Sequence, residues 1–264
     1  MKLGFIGCGN MANAIMSGII KNKVFSPDEI VAADLNAAAT AQAQKGLGIR
    51  IAANNTEVVE QADTVILAVK PQYYAEVIAG IKGRVRDGQL FITIAPGKTL
   101  EWLGERLGES VKIVRTMPNT PAMVGEGITA ATPNGNVTKE ELDEACRILS
   151  GFGRVEVIPE HLMDVVVSVS GSSPAYVFMF IEAMADAAVA DGMPRKQAYA
   201  FAAQAVMGSA KMVLETGKHP GELKDMVCSP GGTTIEAVRV LEEKGLRSAV
   251  IEAMKACTKK AQSM

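Results

Sequence analysis

Two glycines near the start of the chain are the first residues whose spacing implies chemistry. Gly7-Cys8-Gly9-Asn10-Met11-Ala12 follows the apolar segment Lys2 to Ile6 and reads G-x-G-x-x-A at a junction of strand and helix. Gly7 permits a tight turn, Gly9 lets the main chain approach a pyrophosphate, and Ala12 lets the helix lie close on the strand. The N-terminus of the helix that follows offers N–H donors to an anion, so a dinucleotide fits this turn better than a Gly-rich bend kept for steric reasons alone. Asp34 stands 27 residues after Gly7, beyond the usual spacing of about 20, and the Val24-Phe25-Ser26-Pro27 connection accounts for the difference. A carboxylate there accepts hydrogen bonds from a ribose diol and repels a 2′-phosphate. The nearest downstream cations, Lys45 and Arg50, are not obviously placed to compensate, which favours NADH. The plainer role for Asp34 is to cap a helix beginning near Asn36.

A second constellation lies far downstream. Ser229-Pro230-Gly231-Gly232-Thr233-Thr234 precedes a helix expected over Ile235 to Lys244. Two glycines entering a helix N-terminus expose successive backbone N–H groups, an anion nest suited to a carboxylate, and Ser229, Thr233 and Thr234 add hydroxyls. Ordinary helix capping by Ser or Thr is the bland alternative, and the two readings can coexist. Three strand ends also belong with the ligand side of an open α/β sheet: Ala68-Val69-Lys70-Pro71, Ala95-Pro96-Gly97 and Met117-Pro118-Asn119-Thr120-Pro121. In the last, two prolines rigidify the polar pair Asn119-Thr120 where a nicotinamide could lie.

The elements that must position these groups follow from periodicity. Strands are expected over Lys2 to Ile6, Ile30 to Asp34, Thr64 to Val69, Leu90 to Ile94 and Lys112 to Thr116, alternating with helical stretches in a βαβ rhythm. Runs such as Val65-Ile66-Leu67-Ala68-Val69 are apolar throughout, as in a parallel sheet covered on both faces. After Pro159 the rhythm stops and only helices are expected. One starts at Ser173-Pro174, with Ser173 as N-cap, and closes at Asp191-Gly192; the next runs from Arg195 to Thr216 and stops at Gly217. Both are apolar around most of their circumference, more than about one hundred residues can bury alone, so this half is expected to pack against a second copy of itself. The division is a dinucleotide-binding domain over residues 1–160 and an all-helical domain over 161–264.

Composition removes other classes. A length of 264 residues suits two domains. With 48% hydrophobic, 21% charged and 5% aromatic residues, the chain is globular. A formal charge of −2 and the absence of any Lys/Arg cluster longer than two residues argue against nucleic acid. The four cysteines are widely spaced, with no C-x-x-C, so a reducing cytoplasm is expected and neither a disulfide framework nor a zinc site is signalled. Two histidines make a His-based triad or metal site improbable. The N-terminal apolar stretch is interrupted by Gly7, Gly9 and Asn10 and reads as a strand rather than a signal peptide. The apolar run Val165 to Ile181 contains Ser170 to Pro174 and meets Glu182, so no membrane span is expected.

These residues together carry a resemblance. Leu3 to Met11, Ala68 to Pro71, Met117 to Pro121, Ser170-Gly171-Ser172-Ser173-Pro174-Ala175-Tyr176, His219-Pro220-Gly221-Glu222-Leu223-Lys224-Asp225 and Ser229 to Thr234, continued by Ile235-Glu236-Ala237, resemble the pyrroline-5-carboxylate reductases over essentially the whole chain. The last motif is the specific one, and Ser173 departs from the glycine that members often carry. The resemblance implies an α/β fold, with an N-terminal Rossmann domain and an all-helical C-terminal dimerisation domain. It also implies further assembly into decamers, and an active site completed between subunits. The implied reaction is reduction of 1-pyrroline-5-carboxylate to L-proline by NADPH or NADH, the last step of proline biosynthesis. It places catalytic Thr234 by the substrate ring nitrogen, the backbone of Gly232 and Thr233 at the carboxylate, and Asn55 near the adenosine ribose. NADPH is commonly preferred among members, against the reading of Asp34. A β-hydroxyacid dehydrogenase is the runner-up, but that family relies on a lysine in a helix of its second domain, and Gly171 to Asp191 contains none. A noncatalytic nucleotide sensor would have no reason to keep a carboxylate nest.

Overall fold

The computed structural model describes residues 2–263. The chain forms two compact units, Met1–Gly171 with Thr258–Met264, and Ser172–Cys257.

The first unit is built on eight strands: β1 (Leu3–Ile6), β2 (Ile30–Ala33), β3 (Arg50–Ile51), β4 (Thr64–Leu67), β5 (Leu90–Thr93), β6 (Lys112–Met117), β7 (Gly127–Pro133) and β8 (Gly153–Val157). Their order is β3-β2-β1-β4-β5-β6-β7-β8. Neighbours are parallel except β6 and β7. The helices between them are α1 (Asn10–Lys21), α2 (Ala37–Leu47), α3 (Asn55–Gln61), α4 (Tyr74–Ile81), α5 (Leu100–Leu107) and α6 (Lys139–Leu149). Alternate residues of β1, β2, β4, β5 and β6 enter opposite cores. Leu3, Phe5, Ile66, Leu90 and Ile92 join Ile15 and Met16 of α1 and Ile148 and Leu149 of α6. Ile6, Val65, Leu67 and Phe91 join Val58 of α3, Ile78 of α4 and Leu103 of α5. Each such Leu, Ile or Phe contributes roughly 1.5–3 kcal/mol by leaving water, which explains why strands with helices on both faces are apolar without alternation.

The chain runs from β1 outward to β2 and β3, then returns to place β4 on the other side of β1. This reversal is the topological switch point, where the carboxyl ends of neighbouring strands diverge and leave a crevice. Three strands were not expected. β3 is two residues long, β7 is the β-poor sequence Gly-Ile-Thr-Ala-Ala-Thr-Pro, and β8 follows it through α6 as a parallel partner.

Beyond β8, α7 (Met163–Val166) continues into a π-helical turn over Val167–Gly171. The second unit contains α8 (Ser173–Ala190), α9 (Arg195–Thr216), α10 (Pro220–Val227), α11 (Thr233–Glu243) and most of α12 (Leu246–Ala261). Ser173 is already helical: the N-cap position falls on Ser172, and no side chain caps the helix, because the π turn rather than an extended residue leads into it. Helix α9 has the expected bounds and ends at Gly217, whose φ of 64° is the left-handed C-cap conformation. Among the described residues of this unit, the only buried apolar side chains are Ala185, Ala198 and Ala202, small groups that let α8 and α9 approach closely. Phe178 and Phe201 remain 65% and 68% exposed in the single chain. The helical run Glu160–Ala190 has the length and apolar composition to cross a membrane, but it is broken by the π turn and a bend at Ser172.

Candidate active site

The glycine turn sits at the switch point. Gly7 has φ 109°, in the region that favours glycine, and a Cβ there would lie 2.7 Å from the Ala68 carbonyl oxygen. Its N–H donates to the Ala33 carbonyl (2.8 Å), and the Ala68 N–H donates to that of Ile6 (2.8 Å), so the ends of β2, β1 and β4 are tied at one level. Gly9 is the N-cap of α1, with extended backbone and no side-chain cap, and a Cβ added to it would point into open space. The first turn of α1 has no acidic residue, and Ala12 is fully buried beneath it. An exposed glycine above an uncapped, acid-free helix N-terminus fits a pyrophosphate-bearing dinucleotide.

Asn13 is a contributor that the sequence reading missed. Its side-chain amide donates to the carbonyls of Cys8 (2.6 Å) and Gly9 (3.0 Å), fixing the peptides of the turn. Only its position one turn into α1 could have hinted at this. Asp34 lies just past β2, and its carboxylate accepts the N–H of Cys8 (2.7 Å) and of Asn36 (2.8 Å). It does not cap α2: Asn36 is the N-cap, accepting the N–H groups of Ala38 and Ala39. The Cys8 thiol is pushed up to about 11, chiefly by burial and secondarily by the Asp34 charge. A cleft of about 660 Å³ opens here, lined by Cys8, Gly9, Asn10, Asn13, Asn36 and Gln42 among others, with no charged side chain in its lining.

The other expected positions vary in what they offer. After β4, Ala68 and Val69 are half-buried and Lys70 is exposed, with Pro71 opening a 3₁₀ turn. Tyr74 holds this segment from below: its hydroxyl, buried and so pushed above its ordinary pKa, donates to the Leu67 carbonyl (2.5 Å). Asn55 is the first residue of α3, capped by Asn54, and its side chain makes no hydrogen bond among the described residues. Asn119 is 8% exposed and engaged at both ends. Its Oδ1 accepts the Ile128 N–H (2.9 Å) and its Nδ2 donates to the Ser170 carbonyl (3.1 Å). The cleft lining therefore takes in Gly9, Asn10 and the partners of Asp34, whereas Asn55, the Ala68 to Pro71 segment and Asn119 lie outside it.

In the second unit, α11 starts at Thr233, two residues earlier than expected, so Thr233 and Thr234 occupy its first turn. Gly231 has φ 69°, and Gly232 is the extended N-cap with no side-chain cap. The Gly232 N–H closes a turn onto the Ser229 carbonyl (3.0 Å), and a Cβ on Gly232 would meet the Ser229 hydroxyl at 2.5 Å. The hydroxyls of Ser229, Thr233 and Thr234 make no hydrogen bond among the described residues, and Thr234 is half-buried. The acid of this turn, Glu236, is paired with Arg239 (2.7 Å), which also meets Glu243 (2.9 Å). The first-turn N–H groups from Thr233 onward, unengaged hydroxyls and a neutralised acid make this helix end receptive to an anion.

Comparison with known proteins agrees with both halves. The family model "Pyrroline-5-carboxylate reductase dimerisation" matches residues 160–264, and "NADP oxidoreductase coenzyme F420-dependent" matches residues 2–97. The pyrroline-5-carboxylate reductase of Escherichia coli (strain K12) is 55% identical over 263 residues, covering 100% of this chain and 98% of that one. A solved pyrroline-5-carboxylate reductase from Coxiella burnetii, 34% identical, superposes with TM-score 0.93 over 99% of this chain and 97% of its own. The Plasmodium falciparum pyrroline carboxylate reductase with NADP bound, 31% identical, gives 0.90 over 100% and 97%. Identities of this size along the whole length set aside the β-hydroxyacid dehydrogenase and sensor readings: the chain belongs to the pyrroline-5-carboxylate reductase family.

Proposed function

We propose that this chain reduces 1-pyrroline-5-carboxylate to L-proline with NADPH or NADH, as the last step of proline biosynthesis. The observation that carries the reading is the uncapped N-terminus of α11, with Thr233 and Thr234 in its first turn behind Gly231 and Gly232. In this reading the substrate carboxylate lies at the backbone of Gly232 and Thr233 with Ser229 beside them; the Thr233 N–H is the donor, because the Gly232 N–H is already spent on the Ser229 carbonyl. Thr234 hydrogen-bonds the ring nitrogen or relays its proton; a protonated cyclic imine is already an electrophile, so orientation is the main task left to side chains. When bound, the reduced nicotinamide supplies the hydride. Gly7, Gly9, Asn10 and Met11 would hold its pyrophosphate, Asp34 and Asn55 the adenosine ribose, and Ala68 to Pro71 with Asn119 the nicotinamide side.

The exposed apolar faces of α8 and α9 support a homodimer closed through the second unit, with decamers as the further assembly expected from the resemblance. Unpaired Cys8, Cys146, Cys228 and Cys257 suit a cytoplasmic location. The test is oxidation of NADPH and NADH by the purified chain in the presence of 1-pyrroline-5-carboxylate. Wild type should turn over, and Thr234→Ala should lower kcat/KM by about 100-fold. No turnover by wild type sinks the reading, and an unchanged Thr234→Ala removes Thr234 from the chemistry.

A further inference from the structure

In the first unit, Asp34 is bonded to two residues that line the dinucleotide cleft, Cys8 and Asn36, and the lining itself carries no charged side chain. Asp34 is fixed on two backbone N–H groups, one from the glycine turn and one from the start of α2. The carboxylate therefore cannot swing away when a second anion enters, and each oxygen keeps a lone pair for a neutral hydroxyl. No Lys or Arg lines the cleft. Lys45 lies in the last turn of α2, nine residues beyond Asn36, or about 13 Å along the helix axis. The Arg50 guanidinium is hydrogen-bonded to Gln61, beside α3. At the N-terminus of α2, two of the N–H groups, those of Ala38 and Ala39, are already taken by the Asn36 side chain. Between the acid and the cap, Leu35 is 97% exposed and presents hydrocarbon with no donor.

We infer that Asp34, braced between the glycine turn and the cap of α2, sets cofactor specificity here, so that the chain binds NADH in preference to NADPH. This rests on the dinucleotide reading above and extends it. A 2′-hydroxyl can be accepted by the carboxylate, whereas a 2′-phosphate meets a fixed like charge and no cation in the cleft lining. Leu35 is the complementary position: a cation there would stand beside the acid without disturbing its bonds.

The test is calorimetric titration of the full chain with NADH and with NADPH, without substrate. NADH should bind at least about 10-fold more tightly, equivalent to ~1.4 kcal/mol. The ratio should narrow as salt screens the repulsion. Asp34→Ser should narrow or reverse it, chiefly by strengthening NADPH binding. Leu35→Arg, at a position with no packing to lose, should move it the same way while Asp34 is intact, and serves should the Ser variant fold poorly. Wild type binding NADPH as tightly as NADH overturns the inference, as does a ratio that neither variant shifts. Failure of wild type to bind either dinucleotide would defeat the cofactor assignment itself; binding with the wrong ratio defeats only the specificity.

Discussion

The two units solve the burial problem in opposite ways. In the first, the strands β1, β2, β4, β5 and β6 each feed two cores, and even polar side chains near the site, Asn13, Asn119 and Tyr74, are used to hold backbone carbonyls and N–H groups in place. In the second, three alanines are buried while Phe178, Met179, Phe201 and Leu214 face outward. The α/β unit thus carries its stability within one chain. The helical unit carries a surface whose apolar area is too large for a solvated monomer. Residues of the same type therefore read differently: a phenylalanine in β5 is a local stability element, and one in α8 is a contact awaiting a second copy.

That contrast can be broken most sharply at Phe178. Phe178→Asp places a charge in the middle of the uncovered face, where an anchor residue is worth about 2–4 kcal/mol per contact. The variant should lose its assembled mass by light scattering while the first unit keeps its dinucleotide affinity. An unchanged mass would mean that this face is not the interface. Next in size is Gly7→Ala, which forces a Cβ against the Ala68 carbonyl at a left-handed φ. It should cost about 2–3 kcal/mol and abolish dinucleotide binding, with assembly retained; thermal melts and titration check both. Loss of assembly with it would show that the units do not act independently.

The smallest effect is a surface one. Burial raises the Glu141 carboxyl, but hydrogen bonds from Lys112 and Thr138 outweigh it and hold the group below its ordinary pKa. A folded value below the unfolded one means that the stability it adds is present above the ordinary carboxylate range. It disappears as pH falls through the folded value. Glu141→Gln should therefore cost up to about 1 kcal/mol near neutrality and nothing in strong acid, as read from melting temperature against pH. A loss that persists in acid would point to the capping box with Thr138 instead of the charge.

Much of this was legible in the residues. Gly7 declared its turn because backbone conformation and space there admit little else, Gly9 did so only through its spacing from Gly7, and Arg195 to Gly217 declared a helix through its stop signal. The strands that were missed had weak local signals: β3 is too short for periodicity, and β7 is held by pairing with β6 and β8 instead of by β-forming side chains. The placing of Ser173 failed because a π turn depends on how the preceding helix is packed. The roles of Asn13 and Tyr74 are tertiary; nothing in an asparagine or tyrosine says which carbonyl it will reach. Asp34 was readable as an acid at the end of a strand, whereas its double attachment to Cys8 and Asn36 was not.

The contact between Gly7 and the Ala68 peptide has a consequence for the newly made chain. These residues are 61 apart in sequence, so the nucleotide turn is complete only after β4 has been synthesised and has closed a long loop onto β1. A nascent or truncated chain ending before residue 64 would carry the whole G-x-G-x-x-A motif and no site. Dinucleotide binding then reports on long-range closure of the sheet, and a cofactor that recognises only the closed form should raise the melting temperature in proportion to the logarithm of its concentration.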